Sequence, residues 1–180
     1  MAANSSAFTK KIIRDYRILK KIVDGLQAAD YRIVVTIGSW DMLHVGHLRY
    51  LIKAKTYGDI LIVGTDSDTA IAKYKGPHRP LIPENERIEL LSYQECVDYI
   101  TLVDDVTSKG RWQYGLLRTL RPDIFVAVEN SYPPQQRKAI KRFAGKLVVL
   151  PRQAENTSST DLFQKLIRTL PMLATTLDRR

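Results

Sequence analysis

Beyond residue 31 the chain alternates short, unbroken apolar runs with segments of helical periodicity, and this alternation restricts the fold more than any other feature. The runs fall at residues 32–37, 59–65, 99–103, 123–128 and 146–150. Each is strand-sized and continuous rather than alternating, the pattern of parallel strands covered by helices on both faces. Between them the sequence predicts helices at 47–57, stopped by Gly58; at 83–94, with Pro83 at the start; at 111–120; and at 134–144, stopped by Gly145. A last helix at 160–170 is predicted to close at Pro171. Because crossovers between parallel strands are right-handed, this repetition gives an α/β fold with a doubly wound, five-stranded parallel sheet. Ligands of such sheets bind beyond the carboxyl ends of the strands, so the chemistry is expected in the segments that follow strands.

Ahead of the alternation, Phe8, Ile12, Ile13, Tyr16, Leu19, Ile22, Val23 and Leu26 recur at three-to-four spacing with Lys and Arg between them. That spacing predicts one extra N-terminal amphipathic helix ending near Gly25. Its apolar stripe exceeds what a five-stranded sheet needs, so it is expected to pack on the core or on a second copy, with a homodimer the expected state. With 28 Lys plus Arg against 19 Asp plus Glu, the net charge of +9 favours anionic ligands such as nucleotides, sugar phosphates, nucleic acid or acidic lipid. The single cysteine, Cys96, excludes an intramolecular disulfide framework and a multi-cysteine zinc site. No apolar run approaches the roughly 18 residues needed to span a bilayer. Residues 1–6 are small and polar with no secretion signal, so a cytoplasmic setting is expected.

The first strand runs into Gly38-Ser39-Trp40-Asp41-Met42-Leu43-His44-Val45-Gly46-His47 and directly into a helix. Gly38 and Gly46 permit close backbone approach, and the free N–H groups of a helix start form an anion site. His44 and His47, three apart, would present two ring donors in one direction. Either histidine alone reads equally well as a cap or a packed ring. A metal site built from His44, His47 and Asp41 lacks a further His or Cys ligand. After the second strand come Asp66 and the segment Lys73-Tyr74-Lys75-Gly76-Pro77-His78-Arg79-Pro80, followed by Pro83 and Arg87. A Gly-Pro loop with two lysines is by composition either a solvated turn or a flexible cationic clamp. After the fifth strand, Arg152 precedes Ser158-Ser159-Thr160, three hydroxyls where a helix N-cap needs one.

These segments resemble the HxGH nucleotidyltransferases of the cytidylyltransferase-like superfamily, whose first strand runs into Gly-Thr-Phe-Asp-x-Leu-His-x-Gly-His. Ser39 and Trp40 stand where Thr and Phe are usual, and the resemblance spans about residues 31–167. The pattern Lys-Gly-Pro-x-Arg-Pro-x-x-Pro-x-x-x-Arg from Lys75 to Arg87 resembles ADP-heptose synthase adenylyltransferase domains. Residues 71–77 are also similar to ethanolamine-phosphate cytidylyltransferase, and glycerol-3-phosphate cytidylyltransferases belong to the same group. The resemblance implies a Rossmann-like nucleotidyltransferase domain at 31–170, with a leader and helix at 1–30 and a tail at 171–180.

It also implies transfer of a nucleotidyl group from a nucleoside triphosphate, ATP ahead of CTP, to a phosphorylated small molecule such as a sugar phosphate, with pyrophosphate released. The alternative is a CTP-dependent enzyme acting on a polyol or amino-alcohol phosphate. In this reading His44, His47 and Lys75 are catalytic, and Asp66 and Arg87 bind the acceptor. Gly38, Ser39, Trp40, Asp41, Gly46, Lys73, Glu129, Arg152, Ser158, Ser159 and Thr160 bind the nucleotide. Mg²⁺ accompanies the triphosphate, with Asp41 the nearest carboxylate and no fixed protein metal site. The segment Val128-Glu129-Asn130-Ser131 replaces the Gly-Gly-Asp or Gly-Asp-Asp usual in relatives. That departure motivates a second class, a nucleotide-sensing or nucleic-acid-binding protein that kept the fold and altered the reaction. Nucleic acid is the less favoured partner, because a charge run on an amphipathic helix is usually its solvated face.

Overall fold

A computed structural model describes residues 8–155 and 157–177, with side chains described through residue 170. The five apolar runs become strands β1 (Ile33–Gly38), β2 (Ile60–Asp66), β3 (Tyr99–Val103), β4 (Ile124–Val128) and β5 (Lys146–Leu150). They form one sheet in the order β3-β2-β1-β4-β5, parallel throughout. From β1 the chain winds outward to β2 and β3, then returns to the other side of β1 for β4 and β5. The switch point therefore lies between β1 and β4, where crossovers leave in opposite directions and open a crevice at the strand ends.

The helices are α1 (Tyr16–Ala28), α2 (Val45–Lys55), α3 (Asp68–Lys75), α4 (Glu84–Ser92), α5 (Gly115–Leu120), α6 (Pro134–Ile140) and α7 (Ser159–Leu177). They make two apolar layers. On one face Val34, Leu61 and Val126 meet Leu51 and Ala54 of α2 and Ile88 and Leu91 of α4. On the other, Ile33, Val35, Ile62 and Phe125 meet Leu19 and Val23 of α1 and Leu116, Leu117 and Leu120 of α5. Neighbouring residues of β1 thus serve opposite layers, as the pleat requires, which explains why its sequence is apolar without alternation.

Several elements differ from the sequence expectation, each for a local reason. The N-terminal helix begins at Tyr16, capped by Asp15, whose carboxylate accepts from the Arg17 amide at 2.7 Å. Residues 11–13 instead lie along the open edge of β3: Ile13 N–H donates to the Ile100 carbonyl at 2.8 Å, and Ile100 N–H donates to that of Lys11 at 2.8 Å. An edge strand offers unpaired backbone groups, and pairing with them outcompetes helical continuation. The helix also passes through Gly25, where the space a side chain would fill is open. One glycine in an exposed turn costs about 1 kcal/mol and does not end a helix. Leu19 and Val23 are fully buried, so the stripe packs on the protein's own sheet.

Helix α3 was not anticipated. Ser67 caps it by accepting from the Ala70 amide at 2.9 Å, and Lys73 and Lys75 occupy its last turn rather than a flexible loop. The helix expected from residue 111 begins at Gly115, because an antiparallel bridge between Val106 and Trp112 folds the preceding stretch into a tight loop. Helix α7 runs through Pro171 to Leu177, forgoing the one N–H that proline lacks. The polar leader at residues 1–6 and the end of the expected tail, residues 178–180, lie outside the described residues. Among the described residues no helix is long and apolar enough to cross a membrane.

If α1 is integral to the core, Leu19→Ala will cost about 2–5 kcal/mol in chemical denaturation. Ile18→Ala, on the half-exposed side of the same helix, will stay within about 0.5 kcal/mol. Equal small losses at both positions would make α1 an appendage.

Candidate active site

β1 delivers the chain to residues 38–47, where Trp40 and Met42 both take left-handed backbone conformations, each with φ of 51°. Such conformations cost about 1–3 kcal/mol apiece in residues other than glycine and persist only where surroundings fix them. Here the Trp40 ring is buried, with its Nε1–H donating to the Gly64 carbonyl at 2.9 Å. The same ring supports His47 edge-on, with centroids 5.6 Å apart. Trp40 therefore supports His47 as well as lining the crevice.

His44 is the N-cap of α2. Its Nδ1 accepts from the Gly46 amide at 3.1 Å, while Nδ1 of His47 accepts from the amide of His44 at 3.4 Å. A backbone amide only donates, so each Nδ1 carries a lone pair and each neutral ring holds its proton on Nε2. The rings stack with centroids 4.0 Å apart and planes tilted by 33°. Burial, then the Arg152 charge, lowers the His44 pKa below its usual value. Burial, then His44 and Lys75, brings His47 down to about 3. Near neutral pH both rings are uncharged Nε2–H donors lining one crevice. A side chain at Gly46 would meet the Ala154 Cβ at 2.8 Å and the His44 ring at 2.9 Å, so this cap geometry requires glycine.

Asp41 is not in the crevice. It is fully buried, with one oxygen 2.5 Å from Nη2 of Arg79 and its carboxylate accepting from the Leu81 and Ile82 amides at 3.1 Å. Its carbonyl accepts from the Ser159 hydroxyl at 2.5 Å, and Arg79 Nη1 reaches the Ser159 carbonyl at 3.5 Å. This buried knot ties together the histidine loop, the segment after α3 and the start of α7. Arg87, expected to hold an acceptor phosphate, has no exposed surface. Its guanidinium is spent on the carbonyls of Ile82, Ser39 and Asp66 and on the Asp68 carboxylate. The arginine braces the crevice floor from behind.

The crevice has a volume of about 580 Å³, within the range of small-ligand sites. Gly38, Ser39, Trp40, His44, Gly46, His47, Asp66, Lys75, Arg152, Ser158, Ser159 and Thr160 all line it. Lys75 Nζ donates to the Ser39 hydroxyl at 2.8 Å, and burial, then Arg79, lowers its pKa. Lys73 points elsewhere, toward the Val106 carbonyl at 3.4 Å. Glu129 is exposed outside the crevice and accepts from the Arg152 amide at 3.1 Å, placing the Arg152 loop rather than touching a ligand. Next to it, Asn130 has φ of 63°, supplying the left-handed turn that a glycine would otherwise make. Of the three hydroxyls, Ser158 caps α7 by accepting from the Asp161 amide at 3.0 Å, and Ser159 is committed to Asp41. What the start of this 19-residue helix offers an anion is chiefly its backbone N–H groups and Thr160.

The sequence reading missed the aromatic wall made by Tyr74, Trp112 and Tyr132, which also line the crevice. Asp66 at the end of β2 is almost fully buried beside them; burial raises its pKa to about 6, and Tyr74 OH donates to its Oδ2 at 2.6 Å.

The cytidylyltransferase-like family model matches residues 35–170. The bifunctional protein HldE of Geobacter metallireducens is 35% identical over 153 residues, which is 83% of this chain and 30% of that protein, so the chain spans under a third of its relative's length. The crystal structure of the lipopolysaccharide core biosynthesis protein from Thermoplasma volcanium superposes with a TM-score of 0.56 at 26% identity, covering 71% of this chain and 99% of that one. Pantoate-beta-alanine ligase from Francisella tularensis, solved with beta-gamma ATP and beta-alanine, shares the fold at TM-score 0.56 and 18% identity, covering 84% and 74%.

Removing one partner of a buried ion pair strands the other, so Asp41→Ala will cost about 3–5 kcal/mol of stability. Adding Arg79→Met will recover a large part of it. A double variant as unstable as the sum of its singles would show that the two charges are not coupled.

Proposed function

Because the chain belongs to the cytidylyltransferase-like family, we propose that it transfers a nucleotidyl group from a triphosphate, ATP before CTP, to a sugar phosphate. The observation that carries this reading is the pair of neutral Nε2–H donors at His44 and His47, set in one crevice with Lys75, Arg152 and the start of α7. An acceptor phosphate oxygen is already an anion near neutral pH and needs no general base. It attacks the α-phosphorus in line, a new P–O bond forms, and the bond to the bridging oxygen of the departing pyrophosphate breaks. Charge grows on the α-phosphate oxygens as phosphorus becomes five-coordinate, and the two imidazoles donate to them there. Lys75 and Arg152 offset charge on the triphosphate and the leaving pyrophosphate. The preference for ATP and a sugar phosphate rests on the Lys75–Arg87 segment.

Magnesium would enter as part of the triphosphate substrate, where it would offset phosphate charge. Asp41 does not fit as its ligand, since its carboxylate is taken by Arg79, Leu81 and Ile82. Among the described residues no group of three or more His, Cys, Asp or Glu side chains is arranged to hold a metal ion. A cytoplasmic setting and a homodimer belong to the same reading.

The proposal is tested by pyrophosphate release from ATP and from CTP with a panel of sugar phosphates. His44→Ala and His47→Ala will each lower kcat by about 10²–10³-fold while the triphosphate Kd changes little, because donors to the transition state matter least in the ground state. Equal losses in binding and turnover would contradict the assigned role. Both histidine pKa values lie below the usual 6.5, so both rings are in their working form above that value and become protonated only as pH falls. The rate will therefore hold steady from about pH 6.5 to 8.5. A rate that falls as pH climbs through 6 to 7 would mean that a charged imidazole does the work.

A further inference from the structure

Helix α7 begins in the crevice and then leaves it. Ser159 in its first turn bonds Asp41, and the Phe163 ring centroid lies 5.2 Å from the guanidinium carbon of Arg79. From Gln164 to Leu170 every residue is exposed, including Leu166, Ile167 and Leu170 at 49%, 52% and 59%. Phe163, Leu166 and Leu170 are spaced by three and then four residues, and Leu173 and Leu177 continue the alternation in the sequence. That is the a/d spacing of a coiled-coil seam, an apolar stripe that one helix cannot bury alone. Exposed apolar residues elsewhere, such as Ile52 of α2 and Leu90 of α4, stand singly among charged neighbours and need no partner.

Charge placement along α7 selects what covers the stripe. With Phe163 and Leu170 at a and Leu166 at d, the flanking e and g positions hold Ile167 and Thr169, both uncharged. Lys165 and Arg168 fall at c and f, on the side of the helix away from the seam. A membrane-surface helix would carry its basic residues at the borders of the stripe, where their stems reach the headgroups. A second α7 instead meets the stripe with an identical one and brings no like charge against it. We propose that the outer turns of α7 pair with α7 of a second copy across a two-fold axis, burying Leu166, Ile167 and Leu170 between the two helices. Leu170, midway between Phe163 and Leu177, meets its own counterpart whether the helices run parallel or antiparallel. The seam gives the homodimer proposed above a surface, and rests on that reading for the identity of the partner alone. The N-terminal stripe expected in this role is buried on the protein's own sheet. The first turn of α7 stays in the crevice, so pairing leaves Thr160 and the helix-start N–H groups open to an anion.

The test is sedimentation velocity of the full chain without substrate, from about 1 µM to about 100 µM. The chain will be a dimer at the upper end and will dissociate on dilution. Leu166→Glu combined with Leu170→Glu will weaken association by about 100-fold or more, whereas Arg168→Glu, at an outer position, will change it by less than about threefold. At about 1 µM, where the parent is also monomeric, the double variant will unfold within about 2 °C of the parent, because its leucines lie outside the core. In a Cys96→Ser background, Leu170→Cys will cross-link to its counterpart on oxidation and Arg168→Cys will not. A monomer at about 100 µM would overturn both the seam and the homodimer. A dimer left intact by the double leucine variant would overturn the seam and keep the homodimer. A fall of about 10 °C or more in that variant would place the stripe on the chain's own core. Binding to anionic phospholipid vesicles without self-association would make the partner a bilayer, and either result removes the seam. None of these readouts uses turnover, so failure of the proposed reaction leaves them unchanged.

Discussion

The amide N–H groups of His44 and Gly46, at the start of α2, each end on an imidazole Nδ1, and the character of the site follows from those two bonds. A helix start leaves donors without partners, and most proteins supply an Asp, Ser or Asn side chain there. An aspartate would put a negative charge where the proposed reaction places a phosphate. A serine would satisfy the amide but offer no donor on its far side in a fixed direction. An imidazole does both: it accepts from the helix on one nitrogen and, because that nitrogen is occupied, carries its proton on the other. Burial and the 4.0 Å stacking of the two rings then hold both neutral. The donors are set before any ligand arrives, which is where electrostatic preorganisation gets its effect.

Those donors are useful only if Lys75 and the start of α7 stand across from them, and the chain separates these segments widely. Ser159 lies 118 positions from Asp41 in sequence, yet its hydroxyl bonds the Asp41 carbonyl. The buried Asp41–Arg79 pair does the same for the segment after α3. Ion pairs of this kind add little net stability, since desolvation offsets much of their attraction, but each allows few alternative arrangements. Arg87 plays a related part with four bonds to backbone and carboxylate oxygens. The chain uses two arginines and an aspartate as scaffolding, and the groups proposed to face the ligand are neutral or exposed.

This division explains what the sequence made legible. Continuous apolar runs need both faces covered, so the five strands and their parallel direction followed from pattern alone, and β3 and β5 have the expected bounds. The convergence of residues 38–47, Lys75 and residues 158–160 followed from their position after strands. Roles of charged residues did not follow. Asp41 and Arg87 look like ligand-binding groups in sequence, because nothing local marks an arginine that will be buried by partners from elsewhere in the chain. The pairing of residues 11–13 with β3 was hidden for the same reason, since the partner lies almost 90 positions away in a segment whose own pattern is unaffected. Tyr74, Trp112 and Tyr132 carry no signal separating a crevice wall from core. Helix α3 did have one, the Ser67 cap, obscured by the Lys and Gly-Pro composition that follows.

Before substrate binds, His44 and His47 stand as neutral, Nε2-protonated donors. Two-bond ¹H–¹⁵N correlation spectra of the ¹⁵N-labelled protein report tautomer and charge for each ring directly. Both rings should show a protonated Nε2 and a bare Nδ1 at pH 7, and His47 should remain unprotonated down to about pH 4. A ring bearing its proton on Nδ1 at neutral pH, or a His47 that titrates near 6.5, would contradict the account.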